Sequence, residues 1–167
     1  MFQTLDGFYQ LWQFESGVTQ KTLNQLTDDS LSQSVTPQNW TLGRIAWHTV
    51  TAIPVIASQT NLSLDLPDQD YPVPASAKLI ADGYQKASST LCQALRSQWT
   101  DESLTEVHDV FGQKFSNSQL LFFLIQHQIH HRGQMTILMR QAGLAVPGIY
   151  GPSKEEWAMI GREAPKM

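Results

Sequence analysis

The sequence predicts an all-α protein: a four-helix bundle with one long crossover loop and a short C-terminal helix. Three observations carry this. Apolar residues recur with a helical period over four long segments. One proline- and aspartate-rich stretch in mid-chain has no period at all. No repeat, low-complexity tract or linker divides the chain, so residues 1–167 read as one domain.

The first helix is expected from Phe2 to about Gln25, with Phe2, Leu5, Phe8, Tyr9, Trp12, Val18, Thr19, Leu23 and Leu26 on its apolar face. Gly7 and Gly17 weaken it without ending it. SVTPQNW is a break, after which Thr41 or Asn39 caps a second helix to about Gln59. Its stripe is Leu42, Ile45, His48 or Thr49, Ala52 and Ile56, and Pro54 predicts a kink or an early end. Asn61 to Pro74 is the crossover loop. A third helix runs from about Ala75 to Trp99, with Leu79, Ile80, Tyr84, Leu91, Leu95 and Trp99 spaced for burial. Thr105 to Phe115 alternates weakly around Gly112, as a small turn or hairpin does. The fourth helix starts at a Ser116 or Asn117 cap, reaches Gln141 and stops at Gly143. A Gly/Pro-rich tail then carries a short helix near Ser153 to Ile160.

Composition narrows the function. A net charge of −4, with Lys and Arg scattered singly, argues against nucleic acid and acidic membranes as partners. No window is apolar enough to span a bilayer, and MFQTLDGFYQ lacks the pattern of a secretion signal. The single Cys92 excludes an intrachain disulfide and sits beside Leu91 as a packing residue. A cytoplasmic protein is expected.

The chemistry concentrates in HQIHHRGQ, which holds three of the five histidines. With Leu120 at zero and 100° per residue, His127 falls at about 340°, His131 at about 20° and Leu138 at about 0°. Both histidines therefore lie in the centre of the apolar stripe, whereas His130 falls at about 280°, on its flank. A buried imidazole without a partner costs roughly 1–3 kcal/mol, so one inward histidine reads first as a hydrogen-bonded structural residue. Two at i, i+4 stack one above the other and can share one ion. His48 lies on the corresponding stripe of the second helix. Gln128 follows His127 where a zincin would carry Glu, so HExxH chemistry is absent. His108 reads as a surface loop residue. Gln134, at about 320°, points towards the site or makes a bond across the bundle. Trp47 lines a pocket or simply packs. Tyr150 and Trp157 read first as part of a tail packed on the bundle, and second as a lid.

HxxxHRGQ on the last helix (His127, His131, Arg132, Gly133, Gln134), the histidine of LGRIAWH and the tail YGPSKEEW together resemble the DinB / YfiT-like family, over nearly the whole chain. The resemblance implies a DinB-like four-helix bundle, usually a homodimer, with His48, His127 and His131 as the three ligands of a divalent metal ion. Phe8, Tyr9, Trp12 and Phe14, with the run Leu121, Phe122, Phe123, give more apolar surface than one seam needs, which also fits a dimer. Zinc is the first expectation, then nickel, with iron or manganese as further choices. Three histidines leave coordination positions open, as in catalytic sites. No Asp or Glu stands next to the ligands in sequence, which weakens a metal-dependent hydrolase. Related proteins include thiol-dependent transferases and isomerases, so a thiol S-transferase using a low-molecular-weight thiol and a small-molecule substrate is the leading enzyme reading. A non-enzymatic metal-binding stress-response protein is the alternative.

Overall fold

The structure, a computed structural model, describes residues 1–166. Four helices form a bundle: α1 (Leu5–Leu23), α2 (Leu42–Ser58), α3 (Ala77–Gln98) and α4 (Asn117–Gln141). Each of α1 and α2 packs against both α3 and α4, so α1 faces α2 across the bundle and α3 faces α4. The hairpin of β1 (Val107–Val110) and β2 (Gln113–Ser116) leads into α4. No helix is long and apolar enough to cross a membrane among the described residues.

Local chemistry sets the helix ends. The Thr4, Thr41 and Ser116 hydroxyls accept the N–H groups of Gly7, Arg44 and Gln119, each satisfying a donor that the first helical turn leaves free. Gln119 completes a capping box on Ser116. Thr41 rather than Asn39 is thus the α2 cap. Helix α2 continues through Pro54 to Ser58, so the expected early end does not occur; the proline is itself buried. The hairpin turns through Phe111 and Gly112, both at positive φ (53° and 79°). Two 3-10 turns, Asp28–Ser32 and Asp101–Thr105, have no periodic signature and were not expected. The first packs so closely on α2 that a Cβ on Gly43 would lie 3.0 Å from the Leu31 Cβ. The tail helix is shorter than expected, a 3-10 turn over Ala158–Ile160.

The core contains Phe8, Trp12, Ile53, Ile80, Tyr84, Leu91, Leu95 and Met135, each essentially inaccessible. Burying a side chain of this size contributes about 1.5–3 kcal/mol. Leu79 is an exception to the expected stripe, 60% exposed. Ile80, Tyr84, Leu91 and Leu95 fix which face of α3 is buried, and Leu79 lies about 100° from Ile80 on the helix.

On the α1 side of the bundle, Arg132 of α4 donates to the Glu15 carboxylate at 2.7 Å, to the Glu15 carbonyl at 3.1 Å and to the Thr19 hydroxyl at 2.9 Å. Both Glu15 and Arg132 are buried. The Tyr150 hydroxyl reaches the same pair from the tail, donating to Glu15 at 3.0 Å and accepting from Arg132 at 2.7 Å. Lys21 and Arg140 pair with Glu156 and Glu155 further along. The tail therefore packs on α1 and α4, as first expected, and none of these tail residues lines the histidine pockets described below.

Removing one member of a buried ion pair strands the other. Arg132→Ala should cost about 3–5 kcal/mol in urea unfolding. The double variant Glu15→Gln, Arg132→Met should recover much of that loss. Equal stability of Arg132→Ala and the parent would show that the pair is not held as described.

Candidate metal centre

His48 of α2 and His127 and His131 of α4 meet between the two helices. The Nε2 atom of His127 lies 3.2 Å from the Nε2 atoms of both His48 and His131. Each of the three offers a ring nitrogen within 4.8 Å of the others, close enough to share one ion. Beside them, the next residue on each helix is bonded across the seam: Gln128 Nε2 donates to the Thr49 carbonyl at 2.9 Å, and both residues are fully buried. This bond fixes α2 against α4 beside the histidines. Thr49 thus takes the core position, and His48 is half-buried beside it.

The remaining ring nitrogens determine which tautomers form. His48 Nδ1 donates to the Asp70 carboxylate, 3.1 Å from each oxygen. His131 Nδ1 donates to Gln134 Oε1 at 2.7 Å. With those protons on Nδ1, the Nε2 lone pairs of His48 and His131 both point at His127. His127 Nδ1 is buried without a partner among the described residues. A proton on His127 Nε2 can satisfy only one of its two neighbours, leaving the other's lone pair without a donor. A shared cation satisfies all three. Metal–imidazole bonds of about 2.0–2.1 Å place neighbouring ligand nitrogens roughly 3–3.4 Å apart, so the two 3.2 Å separations from His127 fit. Burial, and then the neighbouring His131 and His48, push His127 down to about 4; burial also lowers His131. Both are neutral at neutral pH, as ligands must be.

Asp70 comes from the crossover loop and accepts from Thr51 Oγ1 at 2.5 Å and Arg44 at 2.6 Å as well as from His48. Burial opposes its ionisation, but hydrogen bonds from Thr51, Arg44 and His48 outweigh that and hold the carboxyl down to about 2. Such a carboxylate orients an imidazole and is a poor proton acceptor. The Arg44 guanidinium lies over the Trp40 and Tyr71 rings, 4.2 and 4.7 Å from their centroids, and Trp47 Nε1 donates to the Gln69 carbonyl at 3.1 Å. These contacts clamp the loop to α2.

Two pockets flank the histidines. One, of about 710 Å³, is bounded by His131, Gln134, Trp40, Gln38, Asn39 and apolar side chains including Ile45 and Leu138. The other, of about 340 Å³, has His48 and His127 in its lining and a largely apolar wall.

Gln134 does point to the site, as one of its two expected roles required. Trp47 holds the loop, and Trp40 is the indole beside the histidines, 5.2 Å from the His48 ring. His130 is exposed, edge-on to His131. His108 is half-buried on β1, not in a loop, with Nδ1 3.4 Å from Asn61. Cys92 is half-buried on α3, and burial raises its thiol pKa, which suits packing. Sequence reasoning missed Asp70, Trp40 and Glu15. Only Glu15 left a signal, falling three residues after Trp12 on the α1 stripe.

The sequence model of the DinB family matches residues 1–167, and the chain belongs to the DinB family. It is 64% identical over 167 residues to YrdA of Bacillus subtilis (strain 168), covering all of both chains. Among solved structures, it is similar to a DinB-like protein from Bacillus cereus ATCC 10987, with 59% identity and a TM-score of 0.88 over 90% of this chain and 100% of the other. A conserved protein from Enterococcus faecalis shares the fold at 19% identity, with a TM-score of 0.64 over 84% of this chain and 97% of that one.

In metal-free protein at pH 8, nitrogen-15 NMR should find His48 and His131 protonated on Nδ1. Asp70→Ala should shift His48 alone towards the Nε2–H tautomer. Protonation of His48 on Nε2 in the parent protein would contradict the assigned role of Asp70.

Proposed function

We propose that this DinB-family protein binds one divalent ion through His48, His127 and His131 and uses the open positions for thiol-dependent transferase or isomerase chemistry. The observation that carries the metal reading is the convergence of three imidazole nitrogens, two of them with their opposite nitrogens already donating. Zinc is the first choice, with nickel next. When bound, such an ion lowers the pKa of a thiol or water brought to it and polarises a carbonyl.

The chain's own groups favour a thiol over hydrolysis. Asp70, the carboxylate bonded to His48, is saturated by three donors and cannot take a proton from a nucleophile near neutral pH. The pocket at His131 carries Gln38, Asn39 and Gln134, whose amides suit the polar body of a low-molecular-weight thiol. The pocket at His48 and His127 receives the second substrate. In a transfer of this class the thiol sulfur forms the new S–C bond, the leaving group departs with its bonding pair, and the thiol proton passes to solvent. A two-fold homodimer through outward apolar side chains such as Phe14 belongs to the same proposal; a monomeric mass by light scattering removes that part without touching the site.

Protein purified without an affinity tag should hold about one divalent ion per chain. Ala at position 48, 127 or 131 should abolish it, whereas His130→Ala should retain most of it. Small thiols added to the cobalt-substituted protein should produce a sulfur-to-metal charge-transfer band that survives Cys92→Ala and is lost in His131→Ala. A site that binds cobalt but responds to no thiol would favour the non-enzymatic metal-binding alternative.

A further inference from the structure

The pocket at His48 and His127 has a composition that specifies its occupant. Its inner surface includes the buried Leu120 and Ile56. Its rim carries three exposed apolar side chains: Val55 of α2 (43% exposed), Phe123 of α4 (49%) and Phe111 at the hairpin tip (100%). The Phe123 ring centroid stands 5.9 Å from that of His127. Phe111 holds φ at 53°, a region that L-residues enter at a cost, and the adjoining Gly112 at 79° completes the turn. A fully exposed phenylalanine in a strained turn contributes nothing to the fold by burial. It gains only if something apolar covers it.

Charge selects further. No Lys or Arg lines this pocket among the described residues, so an anionic ligand finds no side-chain counter-charge there. Asp70 is already paired with Arg44, and Asp68 stands exposed at the edge. The other pocket, by contrast, displays three amide side chains.

We propose that the Val55–Phe111–Phe123 pocket is the subsite for an uncharged aromatic or alkyl group of the second substrate, with its reacting atom directed at the histidines and the hairpin tip closing over it. Resting on the metal reading above, this adds the substrate class. A volume of about 340 Å³ accommodates a bicyclic aromatic. Concavity and the His48 and His127 rings in the lining favour a small molecule over a second protein surface.

The probe is N-phenyl-1-naphthylamine, which is uncharged, titrated into the full chain and followed by fluorescence. Saturable binding at one site per chain is expected. Phe123→Ser should weaken it about tenfold, the loss of one aromatic contact. Phe111→Ser, which cannot unfold a protein that leaves that ring wholly exposed, should weaken it measurably. Leu79→Ser, exposed on α3 away from this pocket, should leave it unchanged. Cobalt-loaded protein should quench the bound probe, whereas zinc-loaded protein should not. If cobalt does not bind while the probe still responds to Phe123→Ser and Phe111→Ser, the metal reading fails and the subsite stands. Absence of saturable binding, or binding indifferent to both rim variants, overturns the subsite. Sedimentation showing that Phe123→Ser dissociates a dimer, with no probe bound by the parent, would make the pocket a subunit interface and overturn it too.

Discussion

The site depends on the seam between α2 and α4. The Gln128 side-chain N–H and the Thr49 carbonyl close a buried hydrogen bond there, and losing that donation would cost about 1–3 kcal/mol, so the two helices cannot slide past one another cheaply. His127 and His131 share one face of α4, a turn apart, and His48 precedes Thr49 on α2. Fixing the seam therefore fixes the spacing of three imidazoles from two helices.

Helix α4 serves two sides of the bundle at once. His131 turns towards α2 and the pockets, and Arg132, the next residue, turns towards α1 and Glu15. Consecutive residues on a helix differ by about 100°, so HRGQ supplies a site on one side and a buried ion pair on the other. The outer supports follow the same division. The crossover loop reaches the site through Asp70, clamped by Arg44 and Thr51, whereas the tail reaches the ion pair through Tyr150. Each irregular segment is held by a charge that the helices have buried.

Much of this was legible in the sequence. The 3.6-residue period located all four helices, because each must bury one face. The i, i+4 spacing and the apolar stripe singled out His127 and His131 over His130, and the structure brings His48 to them. Asp70 was not legible. It is one of three aspartates in a loop without period, and its position depends on Arg44 and Thr51, which are distant in sequence. Glu15 lay on the right face of α1, yet carboxylates are rarely buried, and only Arg132 across the bundle makes it tenable. Leu79 reads with the buried stripe of α3, but it adjoins Ile80, and two consecutive residues cannot both face the core that Ile80 and Tyr84 enter.

X-ray absorption on the zinc-loaded protein bears most directly on the central claim, that three preset imidazoles form one open metal site. The geometry requires three imidazole nitrogens at about 2.0–2.1 Å, with the remaining positions taken by light exchangeable ligands. A shell of one or two imidazoles, or a fourth protein ligand closing the site, would contradict it.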